Sequence, residues 1–334
     1  MRDGGAPTRR AFLRALAAAP LLAACDVREY ARQRGAKLRL SIATGPVGGT
    51  YYTYGGGVAK IISANVRNVE ATAELTSASV DNLTFLRNGQ ADLAFTIAPA
   101  LQDAYRGTGT FARIGRVPVA ALAVLYVQPT HLVTLASRRV ASLADLRGRI
   151  VSTGIPGSGT EDIVLQILEA AGMKPDTDIR RQRLGPNQAA EALRDGKIDA
   201  FFWSAGVPNN AVLDLTTTLG RRVTLLPTAE VLPALQRRHG SAIFVEVVIP
   251  RRTYPGLDVD VPTVGTSSLL VVDEAMGEAL AYDITRALFD HQPELAAIRA
   301  EARALKPELA STGSPVPFHP GAIRFYHERG AWRG

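Results

Sequence analysis

An alternation of short strands with helices over residues 38–97 limits the possible folds more than any other feature of the sequence. Residues 38–44 alternate apolar and polar side chains before a Gly-Pro loop and predict a strand. Two helices and two further strands are predicted after it, at residues 50–65, 69–75, 79–88 and 92–97. A βαβαβ succession of this kind forms a parallel sheet covered by helices, so an α/β protein is expected.

The same alternation begins again in the second half of the chain. Two strands and two helices are predicted there, at residues 149–153, 160–171, 187–195 and 198–203. A third section adds a strand, an apolar run and two helices, at residues 243–249, 268–272, 274–289 and 293–305. Extended segments near 120–135 and 245–265 join these sections, which indicates two α/β lobes with a cleft between them.

We expect residues 38–128 and 250–334 to form lobe 1 and residues 129–249 to form lobe 2. The length of 334 residues and the hydrophobic fraction of 46% support two such lobes and exclude a disordered chain. The single cysteine excludes a disulfide scaffold.

The first 24 residues predict a removable signal peptide. Arg9-Arg10 lies in a segment similar to the twin-arginine export signal, and the apolar run 15–24 that follows is too short to span a bilayer. Leu22-Ala23-Ala24-Cys25 resembles a lipobox, so Cys25 is the predicted lipidation site and residues 25–37 a lipid-anchored tether; the alternative is a chance cysteine in an alanine-rich signal. This pattern predicts an extracytoplasmic, periplasmic protein anchored to the membrane.

The net charge of +7 does not indicate a nucleic-acid partner. Without residues 1–24 the chain keeps 38 − 4 = 34 basic and 31 − 1 = 30 acidic residues, a net charge of +4. Much of that excess lies in residues 28–39, close to the expected membrane anchor, where anionic lipid attracts basic side chains.

The loop Gly45–Gly57 is the first candidate ligand site, with Gly49, Thr50, Tyr51 and Tyr52 at the start of a predicted helix. Glycines let the backbone approach a ligand closely, and the free N–H groups at a helix start favour an anion. No Lys-Ser/Thr pair follows and the dinucleotide spacing is absent, so a nucleotide loop is not predicted. The alternative is a tight turn with tyrosines in the core.

The loop 154–161 repeats this arrangement, with Ser158, Gly159 and Thr160 before the next predicted helix. Its alternative interpretation is a helix cap without a ligand. Two such loops facing each other across a cleft would hold a carboxylate from both sides.

Residues 201–210 turn at Gly and Pro after aromatic side chains, and Ser204 there misses the G-x-S-x-G nucleophile motif by its first glycine. Because histidines occur late in the chain and a serine hydrolase needs one as a base, an exported serine hydrolase is kept as a remote alternative. The five histidines show no metal-binding spacing, so neither a metal nor a cofactor is expected.

Several segments resemble, in the expected order, the TAXI substrate-binding proteins of TRAP (tripartite ATP-independent periplasmic) transporters. They are Gly48-Gly49-Thr50-Tyr51-Tyr52, Asp145-Leu146-Arg147-Gly148, Pro156-Gly157-Ser158-Gly159-Thr160-Glu161, Gly196-Lys197-Ile198-Asp199-Ala200-Phe201-Phe202, Thr263-Val264-Gly265, His319-Pro320-Gly321-Ala322 and Arg324-Phe325-Tyr326-His327-Glu328-Arg329-Gly330. The similarity covers nearly all of residues 38–330.

The resemblance implies a two-lobed periplasmic binding protein, type II-like, that closes on a small organic anion and delivers it to a TRAP membrane subunit without chemical catalysis. It implies a ligand shell of Gly49, Thr50, Tyr51, Tyr52, Ser158, Gly159, Thr160, Trp203, Gly206, Val207 and Pro208. Ile97-Ala98-Pro99-Ala100 departs from the family, which often has a polar residue there, and this predicts a ligand other than the usual amino acid. The His319-Pro320-Gly321-Ala322 segment is expected to be structural. A periplasmic sensing subunit for a membrane kinase is the main alternative function.

Overall fold

The computed structural model describes residues 37–333, so the predicted signal peptide, Cys25 and the tether up to residue 36 lie outside the described residues. Ten strands occur in the described part: β1 (Leu38–Ala43), β2 (Val69–Glu74), β3 (Leu93–Ile97), β4 (Val119–Leu135), β5 (Ile150–Ser152), β6 (Arg180–Gln182), β7 (Ala200–Ser204), β8 (Val223–Leu225), β9 (Val245–Ile249) and β10 (Val261–Asp273).

The α-helices of the described residues are α1 (Thr50–Asn65), α2 (Ser79–Arg87), α3 (Ala98–Arg106), α4 (Gly159–Ala170), α5 (Pro175–Asp178), α6 (Pro186–Arg194), α7 (Asn210–Leu219), α8 (Leu232–His239), α9 (Glu278–Asp290), α10 (Gln292–Ile298), α11 (Pro307–Ala310) and α12 (Pro320–Glu328). Short 3₁₀ turns lie at Gly109–Phe111, Ala136–Arg138, Leu143–Leu146, Gly220–Arg222, Ala229–Val231 and Ala300–Ala304. None of these helices is long and apolar enough to cross a membrane.

Two sections of parallel strands are joined by two long strands. In the first section β1 lies between β2 and β3, parallel to both. In the second section β5 lies between β6 and β7, again parallel to both. The strands β4 and β10 connect the sections, since β10 pairs antiparallel with β3 and β4, and β4 pairs antiparallel with β7.

The strand β4 changes its partner in the middle. Its residues from Val119 to Pro129 pair with β10, and from Thr130 to Thr134 it pairs with β7. A strand shared in this way fixes the two sheet sections relative to each other, and the carboxyl ends of their parallel strands open toward the same space. This arrangement creates the crevice in which α/β proteins bind ligands.

The described residues form two hydrophobic cores, and the larger one extends across both sheet sections to Val151 and Phe202. The larger core surrounds β3, all five residues of which are buried, and includes the inner face of α1 with Tyr54, Val58 and Ile62. The smaller core packs Phe201, Val212 and other side chains around β7. Burial of each large apolar side chain contributes roughly 1.5–3 kcal/mol.

The predicted elements of both sections are present, with ends within a few residues of those expected. The helix predicted over 293–305 is an exception, because α10 ends at Ile298 and a 3₁₀ turn replaces its second half after an extended Arg299. The helix predicted from Glu274 starts later, at Glu278, after the Gly277 N-cap.

Candidate functional site

A small cavity lies between the two sheet sections, where several strand-to-helix loops meet. Its volume is about 30 Å³, enough for roughly two water molecules. The wall comes from both sections and from the middle of β4, and consists of Gly45, Pro46, Gly49, Thr50, Tyr51, Ala78, Ser79, Ile97, Gln128, Ser158, Gly159, Thr160, Trp203, Ser204 and Ala205. The cavity therefore occupies the crevice position that the topology predicts.

The loop from β1 to α1 brings backbone N–H groups to the cavity wall. Gly48 takes a positive φ of 88°, and Gly49 donates its N–H to the Pro46 carbonyl at 3.0 Å, which closes a tight turn before the helix. Gly49 is the N-cap of α1 and provides no side-chain cap. Because the first N–H groups of a helix have no intrahelical acceptor, they remain available to an acceptor in the cavity.

The loop from β5 to α4 uses its serine as a cap. The Ser158 hydroxyl donates to the Ile155 carbonyl at 2.7 Å and accepts a hydrogen bond from the Glu161 N–H at 3.1 Å. A Cβ on the following Gly159 would lie 2.6 Å from Ser79 Oγ, so glycine permits a close approach between the two sheet sections.

A chain of buried hydrogen bonds runs beneath the cavity. Tyr51 OH lies 3.0 Å from Ser268 Oγ, and Ser268 donates to Gln128 Oε1 at 2.9 Å. Gln128 Nε2 donates to Ser204 Oγ at 3.0 Å. Burial raises the pKa of the Tyr51 hydroxyl, although the Ser268 and Ser79 hydroxyls oppose that rise, so Tyr51 stays neutral. These hydrogen bonds form a fixed polar layer under the cavity, and they connect side chains that are distant in sequence.

Direct hydrogen bonds hold the two sheet sections together across the cleft. The Gly206 N–H donates to Thr50 Oγ1 at 3.2 Å, and Asn209 Nδ2 donates to the Gly48 carbonyl at 3.3 Å. The Gly157 carbonyl accepts hydrogen bonds from the first-turn N–H groups of Val80 and Asp81 at 3.1 and 3.2 Å. The structure therefore represents a closed arrangement of the cleft.

The cavity wall is polar, and Tyr51 is the one titratable side chain among its lining residues. No Asp, Glu, Lys, Arg or His lies among its lining residues. One of its polar atoms, Trp203 Nε1, is buried and has no hydrogen-bond partner among residues 37–333, whereas the buried Ser79 hydroxyl lies next to that of Tyr51. Buried polar groups are normally paired, so the indole N–H of Trp203 is an exception among the residues of this wall.

Seven of the residues predicted from the sequence lie together on the wall: Gly49, Thr50, Tyr51, Ser158, Gly159, Thr160 and Trp203. The other four predicted residues do not line it. Tyr52 is half-buried on α1, and Gly206 contacts the cavity indirectly through its hydrogen bond to Thr50. Val207 is half-buried and Pro208 is exposed.

Three wall residues were not anticipated. Ala78 and Ser79 begin α2 after β2, a strand-to-helix loop that carries no glycine and so gave no signal beyond its position in the alternation. Ala78 nevertheless has a φ of 91°, a conformation unusual for a residue other than glycine. Gln128 is one of several polar residues in the extended segment near 120–135, and nothing in the sequence marks it as facing a cavity.

The surroundings of Ser204 do not support a hydrolase. Its hydroxyl interacts with Gln128 Nε2 and with Thr130 Oγ1 at 3.3 Å, neither of which is a general base. The nearest imidazole along β4, His131, is engaged elsewhere, with Nδ1 3.1 Å from the Trp203 carbonyl and Nε2 2.8 Å from Tyr254 OH. No cluster of three or more metal-ligating side chains occurs among residues 37–333.

The hydrogen bonds of His131 support the loop that follows β7. Tyr254 OH accepts a hydrogen bond from the Asn209 N–H at 2.9 Å, so it donates its own proton to His131 Nε2. The other ring nitrogen then carries a proton and donates it to the Trp203 carbonyl. The neutral imidazole thus fixes both ends of the segment from Trp203 to Asn209.

The His319-Pro320-Gly321-Ala322 segment starts α12 rather than forming an isolated loop. His319 Nδ1 accepts from the Gly321 N–H at 3.2 Å, and its Nε2 donates to the Met276 carbonyl at 2.9 Å. A Cβ on Gly321 would lie 2.6 Å from Tyr282 N, so this glycine lets α12 pack closely on α9. The segment caps a helix and fixes its packing, a structural role.

Solved structures share the overall fold at low sequence identity. A protein from Bordetella bronchiseptica RB50 is 18% identical with a TM-score of 0.51, over 89% of this chain and 90% of that chain. XAC2383 from Xanthomonas citri, solved with a bound chloride ion, is 12% identical with a TM-score of 0.51, over 87% and 95%. The periplasmic aliphatic sulphonate binding protein SsuA from Escherichia coli is 15% identical with a TM-score of 0.44, over 88% and 84%.

The predicted fold class, α/β with two lobes and a cleft between them, is confirmed. A model described as the NMT1-like family matches residues 42–330, which is most of the chain and includes every wall residue of the cavity. The protein therefore belongs to the NMT1-like family.

Proposed function

We propose that this protein is an extracytoplasmic solute-binding protein that captures a small organic anion and delivers it to a membrane transporter. The observation that carries the proposal is the cavity between the two sheet sections, with helix N-termini on both sides and the unpaired indole N–H of Trp203 among its lining residues. Such a site binds and releases a ligand by closing and opening, and it needs no catalytic group.

The finer assignment is a TAXI substrate-binding protein of a TRAP transporter, with a carboxylate such as a dicarboxylate, a keto acid or an amino acid as the ligand. The motif resemblance supports it, since the Gly48–Tyr52 and Pro156–Glu161 segments both contribute to the cavity wall. The match to the NMT1-like family over residues 42–330 is compatible with this assignment.

The lobe limits at residues 128/129 and 249/250 are part of the proposal. They are supported by the change of partner along β4, which pairs with β10 through Pro129 and with β7 from Thr130. The signal peptide over 1–24, lipidation at Cys25 and the tether 25–37 rest on the sequence pattern alone. An anchor of this kind would keep the binding protein near a membrane subunit.

The function is tested by titrating the purified full chain with organic acids in a calorimeter. Tyr51→Phe combined with Ser158→Ala is expected to weaken binding without unfolding the protein, because it removes the hydroxyl next to Ser268 and the cap of α4. Tyr105→Phe with Ser137→Ala removes the same groups away from the cavity and is the matched control. Unchanged ligand affinity in the first variant would show that neither loop is part of the binding site.

A sensing subunit that presents the same closed state to a membrane kinase is the second candidate. A binding site that closes on its ligand serves either role equally well. A permease gene beside this one favours transport, and a histidine-kinase gene favours sensing. Uptake of the radiolabelled ligand by cells that do or do not express the protein separates the two directly.

A further inference from the structure

A groove lies at the end of the first sheet section that is opposite the cleft, and we call it the end groove. Its volume is about 390 Å³, against about 30 Å³ for the cavity in the cleft. It forms where β1 begins at Leu38, where β10 ends at Asp273 and where α9 begins after Gly277. The parallel strands β1 and β3 start at this end and lead to the cleft at the other. The end groove is therefore separate from the candidate ligand site.

The floor of the end groove is apolar. Leu40 and Leu86 are buried in it, at 3% and 2% exposure. Three further lining side chains are half-buried and pack on the larger core: Leu38, Met276 and Leu280. An apolar surface in a groove of this volume favours a partner that covers it.

The charged side chains that line the end groove are all acidic. They are Asp92 and Asp273, and no Lys, Arg or His occurs among the described residues of its lining. Hydrogen bonds hold both carboxylates in place. Asp92 Oδ2 accepts from the Ser41 N–H at 2.9 Å, and Asp273 Oδ1 accepts from the Ala275 N–H at 2.8 Å. The end groove therefore suits a segment that combines apolar with basic side chains.

The part of the chain that precedes β1 has this composition. Residues 27–34 read Val-Arg-Glu-Tyr-Ala-Arg-Gln-Arg, with three arginines against one glutamate. Three residues separate them from Leu38, which itself lines the end groove. Because each residue spans at most about 3.5 Å, residues 27–34 are held close to the groove at a high effective concentration. Even weak contacts are then enough to keep them there.

We propose that residues 27–34 of the tether occupy the end groove. The Val27 and Tyr30 side chains lie on its apolar floor, and arginine side chains lie beside its two carboxylates. Exposed ion pairs contribute little individually, so the apolar contacts supply most of the attraction and the charges select the orientation. The proposal does not depend on which ligand the cleft binds.

The bound tether determines how the predicted lipid anchor holds the protein. With residues 27–34 in the end groove, the anchor at Cys25 lies at the end of the first sheet section that is farthest from the cleft. The cleft then faces away from the lipid surface, and the second sheet section stays free to move during opening and closing. A tether outside the groove would give no fixed orientation.

Hydrogen exchange of the full chain, purified in detergent, tests the proposal. We expect Tyr30→Ser to raise the exchange rate at residues 27–34 at least tenfold, and to raise it also at residues 273–280, because each surface loses its partner. Leu280→Ser changes the groove instead and should raise the exchange rate at residues 27–34 by a similar factor. Leu309→Ser, at an exposed position of α11, is the matched control and should leave the exchange of the tether unchanged.

Fast exchange at residues 27–34 in the unaltered chain overturns the proposal, as does slow exchange there that Leu280→Ser leaves unchanged. If Leu280→Ser unfolds the protein, as its melting temperature would show, the effect of Tyr30→Ser on residues 273–280 decides instead. No change at residues 273–280 then overturns the proposal.

Anionic lipid is the alternative partner of the arginines, and vesicles of phosphatidylglycerol test it. Slow exchange at residues 27–34 that requires the vesicles would place the arginines on lipid and overturn the proposal. Slow exchange in detergent alone, lost in Tyr30→Ser and Leu280→Ser, supports the end groove as their site.

Discussion

Gly206, in the loop after β7, lies directly against the Glu301 carboxylate, which belongs to the 3₁₀ turn after α10. A Cβ on Gly206 would overlap the Glu301 side chain, so no larger residue fits without displacing it. Glu301 is itself held by Arg299, whose Nη2 and Nε lie 2.5 and 3.1 Å from the two carboxylate oxygens. The Glu301 side chain is 8% exposed and that of Arg299 is 17% exposed, so this ion pair is largely shielded from water.

Gly206→Ala is expected to weaken ligand binding at least tenfold. In the closed arrangement the added methyl group must displace a buried, paired carboxylate, and displacement also disturbs the Gly206 N–H bond to Thr50 Oγ1. Opening of the cleft relieves the overlap, so the free protein should lose little stability. Calorimetry of binding and thermal melting of the free protein measure the two effects separately.

A second substitution checks that the overlap with Glu301 is the cause. Glu301→Ala shortens the side chain that the methyl group meets, so the double variant should bind more tightly than Gly206→Ala alone. If the double variant binds as weakly as the single one, the loop itself and not its contact with Glu301 requires glycine.

Two neighbouring glycines of α1 should respond to alanine in opposite directions. A Cβ on Gly55 would overlap the Thr44 side chain and lie 3.3 Å from the Phe95 ring, whereas a Cβ on the exposed Gly56 meets nothing within 4 Å. Gly55→Ala should therefore destabilise the protein by about 1–3 kcal/mol. Gly56→Ala should stabilise it by about 0.5–1 kcal/mol, since glycine is a poor helix former.

Chemical denaturation of the two variants measures this difference, and each serves as the control for the other. Equal effects would mean that α1 does not pack on β1 and β3 as described, because only the contact with Thr44 and Phe95 distinguishes the two sites.

The sequence was most informative where a local pattern determines structure. The helix expected over 50–65 is α1, residue for residue, because a glycine turn precedes it and apolar residues recur at helical spacing. The two glycine loops that open α1 and α4 also lie on one cavity, since both follow strands whose carboxyl ends face the cleft.

Relations between distant residues were not predictable in the same way. Gln128 faces the cavity because β4 crosses between the sheet sections, a consequence of strand pairing that no local window contains. Glu301 was expected within a helix, and only the extended backbone of Arg299 brings the two side chains into one ion pair. Ser79 was missed because Ala78 takes a positive φ without being glycine.

His131 should make the protein sensitive to acid. Burial lowers the pKa of its imidazole to about 4, against 6.5 in the unfolded chain. Between these values the unfolded chain binds a proton that the native protein does not, so the free energy of unfolding decreases as the pH falls from 6.5 to 4. The loss is on the order of 3 kcal/mol. Urea unfolding at several pH values measures this slope.

His131→Gln should flatten that slope, because glutamine does not titrate, even if the variant is less stable at neutral pH. His327→Gln, on the exposed side of α12, should leave the slope unchanged. If the free energy of unfolding of His131→Gln still decreases between pH 6.5 and 4, the acid sensitivity comes from another group.

Asp162, in the first turn of α4, should have the opposite pH dependence. Burial raises the pKa of its carboxyl to about 7, and the neighbouring Asp103 and Glu161 carboxylates add to the rise. Between pH 3.8 and 7 the native protein binds a proton that the unfolded chain does not, so the contribution of Asp162 becomes less favourable as the pH rises through this range. Above pH 7 the native protein therefore contains a desolvated, charged carboxylate.

Asp162→Asn removes that charge while keeping an oxygen that can accept from Gln166 Nε2, now 3.2 Å from the carboxylate. The melting temperature should rise by about 2–4 °C at pH 8 and stay unchanged near pH 4, where aspartate is itself neutral in the native protein. Asp214→Asn, at an exposed position of α7, makes the same chemical change without relieving burial and should show no such pH-dependent gain. A gain of equal size at both pH values would mean that the amide acts through packing and not through the charge of Asp162.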